Sequence, residues 1–235
     1  MTLKPSISAV LPAYNEEANL ECAVRGLARV LDQVSSQSEI IVVDDGSRDG
    51  TSSLLSELGQ YVPGLRVVTH AVNRGYGAAV RSGFAAARLE WVFLMDADNQ
   101  FDPDQIRLLI EKSERADIVA GFRRKRQDPL PRRLNAWAFF SLVSILFGRL
   151  ARDVNCAFKL IRRSFLGELD LRSEGALINT ELLVGARAKN GRIVEVAVQH
   201  YPRTAGRQTG ANPRVVVRAF RELFEFWRRI RREKP

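Results

Sequence analysis

Short apolar runs alternate with helical stretches along the first half of this chain, and that alternation constrains the fold more than any other feature. The runs are "ISAVL" (7–11), "EIIVV" (39–43), "LRVVT" (65–69), "WVFLM" (91–95) and "DIVAG" (117–121). Helical patterns fall between them, near 17–34, 51–60 and 76–88, and in a stretch opened by Pro103 at a first-turn position. Strands separated by helices of this length read as βαβ units. The expected class is therefore α/β, a mixed, mostly parallel sheet flanked by helices. Ligands of such sheets bind beyond the carboxyl ends of the strands. The polar clusters "PAYNEE", "DDGS", "NRGYG" and "DADNQ" each follow a strand end, so four loops are expected on one rim.

The second half is patterned differently. "PLP" (129–131) breaks the chain, and the next helix, 134–150, is apolar almost all round. Such a helix is either core or membrane-facing. "FKLIRR" (158–163) and "RIVEVAVQH" (192–200) read as strands, and 178–191 as a helix ended by Asn190-Gly191. The tail is an amphipathic helix. Val216, Phe220, Leu223, Trp227 and Ile230 share one face; Arg218, Arg221, Glu225, Arg228, Arg229 and Arg232 cover the other. This gives a main domain over 1–212 and a basic amphipathic helix over 213–235.

Net charge is +9 in 235 residues, concentrated in "RRKR" (123–126), Arg132-Arg133, 149–163 and the tail. The excess points to an anionic partner: nucleic acid, a phospholipid surface or a phosphorylated substrate. Cys22 and Cys156 form neither a disulfide framework nor a zinc spacing, which suits a reducing, cytoplasmic setting. A secretory leader is not expected, and no segment reaches the roughly 20 apolar residues of a membrane span.

The chemistry concentrates in the loops. Asp96 and Asp98, one residue apart at a strand end, offer two hard oxygens of the kind Mg²⁺ or Mn²⁺ prefers while leaving positions open for phosphates. Gln100 adds a neutral oxygen. Alone, such a pair is as easily a polar turn. Asp44 and Asp45 can accept hydrogen bonds from a base or ribose, while Asp49-Gly50-Thr51 reads as a helix cap. Gly75 and Gly77 stand at a helix start, where backbone N–H groups favour phosphate. Val80 breaks the GxGxxG dinucleotide spacing, and no Walker ending follows.

Taken in order, "VLPAYNEEANL", "IIVVDDGSRDGT", "NRGYGAAVRSGF" and "MDADNQFDP" resemble the inverting glycosyltransferases of family 2, with a GT-A fold. "RDVNCAFKLIRRSFL", "INTELLVGARAKNGRIVEVAV" and "YPRTAGRQTG" are similar to the branch of dolichol-phosphate mannosyltransferase and bacterial polyprenyl-phosphate glycosyltransferases. The resemblance implies that Pro12, Tyr14 and Glu16 hold nucleotide, together with Asp44 and especially Asp45. Arg74, Gly75 and Arg203 join that donor set. It implies that Asp96, Asp98 and Gln100 bind Mg²⁺ or Mn²⁺, with Asp96 and Asp98 serving catalysis. Arg123 and Arg132 or Arg133 would lie near the phosphates, with Arg123 and Arg132 also serving catalysis. Two departures stand out: Ala157-Phe158-Lys159 replaces the branch's Gly-Phe-Arg, and Arg207 stands near where the branch has lysine.

The implied reaction is metal-dependent, inverting transfer of a sugar from GDP-mannose or a UDP-sugar to a polyprenyl phosphate. The site would face a cytoplasmic membrane surface, peripherally or with a membrane-protein partner. A phosphate acceptor is already an anion and needs no general base. A saccharide or small-molecule hydroxyl would need one, with Asp153 and Glu181 as candidates. The plain alternative for Glu181 is a helix-surface acid, and for His200 a strand-end residue; His70 falls in no motif. A reading of another class is a non-catalytic module for anionic membrane or nucleic acid. The lack of any nucleic-acid motif weighs against nucleic acid.

Overall fold

The computed structural model describes residues 4–124, 130–203, 205 and 213–233, with the side chains of 130–136, 213–216 and 233 outside that description. Seven strands form one sheet in the order β3-β2-β1-β4-β6-β5-β7. They are β1 (Ser6–Ala13), β2 (Gln37–Asp44), β3 (Leu65–Thr69), β4 (Trp91–Met95), β5 (Ile118–Arg123), β6 (Phe158–Arg162) and β7 (Ile193–Val198). The helices are α1 (Glu17–Val34), α2 (Thr51–Tyr61), α3 (Tyr76–Ala86), α4 (Ile106–Ser113), α5 (Leu130–Phe147), α6 (Arg163–Leu166), α7 (Ile178–Ala188) and α8 (Pro213–Glu233). A single 3-10 turn, Pro103–Gln105, precedes α4 and is capped by the Asp102 carboxylate on Asp104 N at 3.0 Å.

The expected strands and long helices are present. The difference lies in β6, which pairs antiparallel with both β4 and β5, while β1·β2, β1·β4, β2·β3 and β5·β7 are parallel. An apolar run such as "FKLIR" carries no direction, so only the pairing reveals it. Pro129 of "PLP" lies outside the described residues, and α5 begins at Leu130, with Pro131 in its first turn, where a missing N–H costs nothing.

Helices cover both faces of the sheet. On one, Leu20, Val24, Leu27, Leu31 and Val34 of α1 recur three or four residues apart and are buried with Leu55 and Leu58 of α2 and Ile106 and Leu109 of α4. The other cluster joins Val80 and Phe84 of α3, Phe139 and Val143 of α5, Leu182 and Leu183 of α7 and Leu223 and Phe226 of α8. The α5 helix bears out the core reading of its sequence on one face. Its inner face is core, while Trp137 and Ile145 are 66% and 79% exposed. The tail packs on the domain: Phe220 meets Phe139 at 5.8 Å and Phe226 meets Phe147 at 5.4 Å between ring centroids. Val216 of its expected apolar face lies outside the described side chains. Among the described residues, no helix is long and apolar enough to cross a membrane.

The site is positioned by the switch in strand order at β1. From it, β2 and β3 extend to one side and β4 to the other, which opens a crevice at the carboxyl ends of β1 and β4. The last β1·β4 pair is Val10 with Leu94, so Pro12 and Asp96 stand two residues farther on, side by side.

Phe158 anchors the centre of this sheet, fully buried, with its ring 4.8 Å from Phe93 and 5.2 Å from Phe101. Phe158→Ala is expected to cost about 3–5 kcal/mol. Urea unfolding would show it as a lower midpoint with unchanged slope.

Candidate active site

The first two rim loops are laced together. Asp45 N donates to Ala13 O at 2.9 Å, Asn15 N to Ser47 Oγ at 2.9 Å and Arg48 N to the Asn15 side chain at 2.8 Å. Asn15 adopts φ 55°, a conformation asparagine tolerates. Pro12 is buried beneath this lacing and Tyr14 is half-buried. Asp44 accepts from Ser47 N at 2.9 Å and shapes the turn.

Asp45 is turned inward. Its oxygens take His70 Nδ1 at 2.6 Å, Arg74 N at 2.9 Å and Gly75 N at 2.8 Å. The other His70 nitrogen meets Ser82 Oγ on α3 at 2.9 Å. His70 is a partner of the rim that sequence reasoning missed. Its signal is the parallel register: Asp44 pairs with Thr69, so Asp45 and His70 come next to each other. The Arg74 side chain is exposed.

The start of α3 differs from the phosphate cradle expected there. Gly77 N and Ala78 N donate to Glu174 O at 2.7 and 3.2 Å, so a backbone carbonyl fills the place of an anion. Gly75, at φ +106°, permits this contact; a Cβ there would sit 2.6 Å from Glu174 O. The glycines serve a close approach, but of protein to protein.

At the end of β4 the carboxylates gather. Asp98 accepts from Gln100 N at 3.1 Å and lies 3.7 Å from Arg203 Nη1. Arg203 Nη2 reaches both Glu16 oxygens, at 2.7 and 2.6 Å, which joins the β1 loop to the β4 loop. Buried Gln100 donates through Nε2 to Tyr201 O at 3.0 Å, and Tyr201 N returns a bond to Gln100 O at 2.9 Å. This tether delivers Arg203 to the rim. A metal role for Gln100 would rest on Oε1 alone. Arg123 forms a two-point pair with Asp153, Nε to Oδ2 at 2.6 Å and Nη2 to Oδ1 at 2.8 Å. The side chains of Arg132 and Arg133 lie outside the described residues.

Glu181 is not a surface acid. It is 1% exposed, accepts from Arg172 N and Ser173 N at 3.0 and 2.7 Å, and pairs with Arg229 of α8. The sequence hid this because its partner lies 48 residues away. His200 follows β7 as expected and is buried, edge-on to Phe101.

Asp96 is a strongly perturbed acid of the rim. Its Oδ1 is enclosed and accepts no hydrogen bond among the described residues. Burial first, and the Asp98 carboxylate second, push its pKa up to about 7, against the nearby Tyr76 hydroxyl, Arg123 and Lys159. An enclosed, unpartnered carboxylate oxygen beside a second carboxylate suits Mg²⁺ or Mn²⁺. Among the described residues no group of three or more His, Cys, Asp and Glu side chains forms a cage, so phosphate and water oxygens would complete the shell. Without metal the sign of the pH effect is fixed. Between the ordinary 3.8 and about 7 the folded protein holds a proton that the unfolded chain releases, so this group costs stability as pH rises. The Tm of metal-free Asp96→Asn is expected to gain on wild type across that window and level off above it. A flat difference in thermal scans would refute the assignment.

The Glycosyl transferase family 2 profile matches residues 8–170. The undecaprenyl-phosphate 4-deoxy-4-formamido-L-arabinose transferase of Aeromonas hydrophila subsp. hydrophila is 32% identical over 203 residues, which are 85% of this chain and 61% of that protein. The dodecaprenyl-phosphate galacturonate synthase of Rhizobium johnstonii is 30% identical over 223 residues, 93% of this chain and 64% of that one. The chain thus spans somewhat under two thirds of these relatives. Among solved structures, glucosyl-3-phosphoglycerate synthase from Mycobacterium tuberculosis in complex with Mn²⁺, UDP-glucose and phosphoglyceric acid superposes with a TM-score of 0.76 at 22% identity, over 95% of this chain and 80% of that one. Its likeness extends to the fold, the GT-A arrangement of sheet and helices. By its sequence match, and with that fold, the chain belongs to glycosyl transferase family 2.

Proposed function

We propose that the protein transfers a sugar, with inversion, from a nucleoside-diphosphate sugar to a polyprenyl phosphate at a membrane surface. The observation that carries this reading is the fate of the two candidate bases. Asp153 is held by Arg123 and Glu181 by Arg229, both in pairs largely removed from water. A carboxylate locked in such a pair is not free to turn toward a hydroxyl, which disfavours a hydroxyl nucleophile. A phosphate monoester attacks as an anion and needs no base. The names of the relatives agree with such an acceptor.

The residues then have distinct tasks. Asp96 and Asp98, with Gln100 as a third candidate, would hold Mg²⁺ or Mn²⁺, which offsets the charge that grows on the leaving diphosphate. Arg203 links Asp98 to Glu16 and so joins the donor loops. Arg123, Arg132 and Arg133 are assigned to the phosphates of donor and acceptor. The β1 and β2 loops, with Pro12, Tyr14, Asp44 and Asp45, are assigned to base and ribose. Asp45 acts there through the loop it orders, because its oxygens are engaged by His70, Arg74 and Gly75. GDP-mannose and UDP-sugars are the donor candidates.

Membrane contact is assigned to the outer faces of α5 and α8. Trp137, Ile145, Val217 and Phe224 are exposed there, and Arg228 and Arg231 stack on Phe224 and Trp227 at 5.8 and 4.4 Å. Each arginine near an anionic surface gains about 1 kcal/mol. We assign this contact to the cytoplasmic face, with or without a membrane-protein partner.

Three results are expected. Label from UDP- or GDP-sugars should pass to polyprenyl phosphate; label passing only to water-soluble acceptors would overturn the reading. Mn²⁺-dependent binding of the nucleoside diphosphate should be lost in Asp98→Ala, as read by calorimetry. The protein should float with anionic vesicles but not zwitterionic ones, and Trp137→Ala/Phe224→Ala should weaken flotation.

A further inference from the structure

Lys159 lies in the middle of the sheet, on the one antiparallel strand, and is fully buried. A charged ammonium there is costly, and an apolar residue of similar size would ordinarily be more stable. Its three protons are all engaged: by Cys156 O at short range, Val154 O at 3.3 Å and Asn179 Oδ1 at 2.8 Å. Burial brings its pKa down to about 8, which leaves it charged at neutral pH.

What these contacts join is informative. Val154 follows Asp153, the residue that grips Arg123. Asn179 begins α7, two residues before Glu181. Across the sheet Lys159 pairs with Leu94, two residues before Asp96, and with Ala120, three before Arg123. Its charge acts through space on Asp96 in the direction that favours the ionised form. One side chain thus fixes the loop behind Arg123 and the start of α7.

We propose that Lys159 is a positioning residue of the donor site. It acts through the segment that carries the Asp153–Arg123 pair and through the start of α7, without touching the nucleotide. The inference rests on the donor-site reading above. Residues that orient metal ligands from behind typically contribute about 10–100-fold in affinity.

The test is calorimetric titration of UDP and of GDP, each with Mn²⁺, into wild type, Lys159→Met and Lys159→Arg at 25 °C, alongside thermal scans. Lys159→Met should weaken nucleotide binding by about 10–100-fold. Lys159→Arg, which keeps charge and donors, should restore most of it. A purely structural lysine would lower Tm in Lys159→Met and leave the affinity unchanged, and that result overturns the proposal. Should Lys159→Met fail to fold, Asn179→Ala takes its place, because it frees one of the three tethers and leaves the lysine present. It should weaken binding in the same direction, and unchanged affinity again overturns the proposal. If wild type binds neither nucleotide with Mn²⁺, the donor-site reading itself fails and this inference falls with it.

Discussion

Everything at the rim depends on the pairing of β1 with β4. These strands are neighbours in space, although the residues of their first pair, Ile7 and Trp91, lie 84 positions apart in the chain. The pairing sets Pro12 beside Asp96 and leaves a crevice that neither strand closes. The other contacts elaborate this one: Arg203 bridges the loops that follow the two strands, and Gln100 anchors the segment that carries it.

Charge is managed at this rim by pairing. The chain carries a net +9, yet the arginines nearest the crevice are matched: Arg203 by Glu16 and Asp98, and Arg123 by Asp153. Part of the exposed excess falls on the outer face of α8, with Arg221, Arg228, Arg231 and Arg232. Interior pairs fix geometry, because breaking one strands a charge in a poor solvent. Exposed cations act over a Debye length on whatever surface approaches.

How much of this was legible in the sequence follows from the range of each interaction. Strands β1 to β5 and the helices between them could be read because apolar periodicity is local. The four loops on one rim followed from the class of fold. The direction of β6 was hidden, since "FKLIR" pairs equally well either way. Roles fixed by distant partners were hidden as well. Nothing in the sequence shows that the Asp45 oxygens are engaged by His70 and the backbone of Arg74 and Gly75, and Glu181 looked like a surface acid until Arg229 covered it. The glycines of "NRGYG" signalled a close approach correctly but not what approaches, which is Glu174 O. Lys159 read as a substitution within a motif, and only its burial shows what it holds.

The Glu181–Arg229 pair has a mechanical consequence. Lifting α8 off the domain would leave a carboxylate in the interior with no countercharge, at a cost of about 3–5 kcal/mol. Leu223 and Phe226 would lose their packing at the same time. The last helix therefore behaves as a fixed outrigger rather than a swinging arm. Its bearing relative to the crevice is set once, on folding, and so is the direction in which Val217 and Phe224 face.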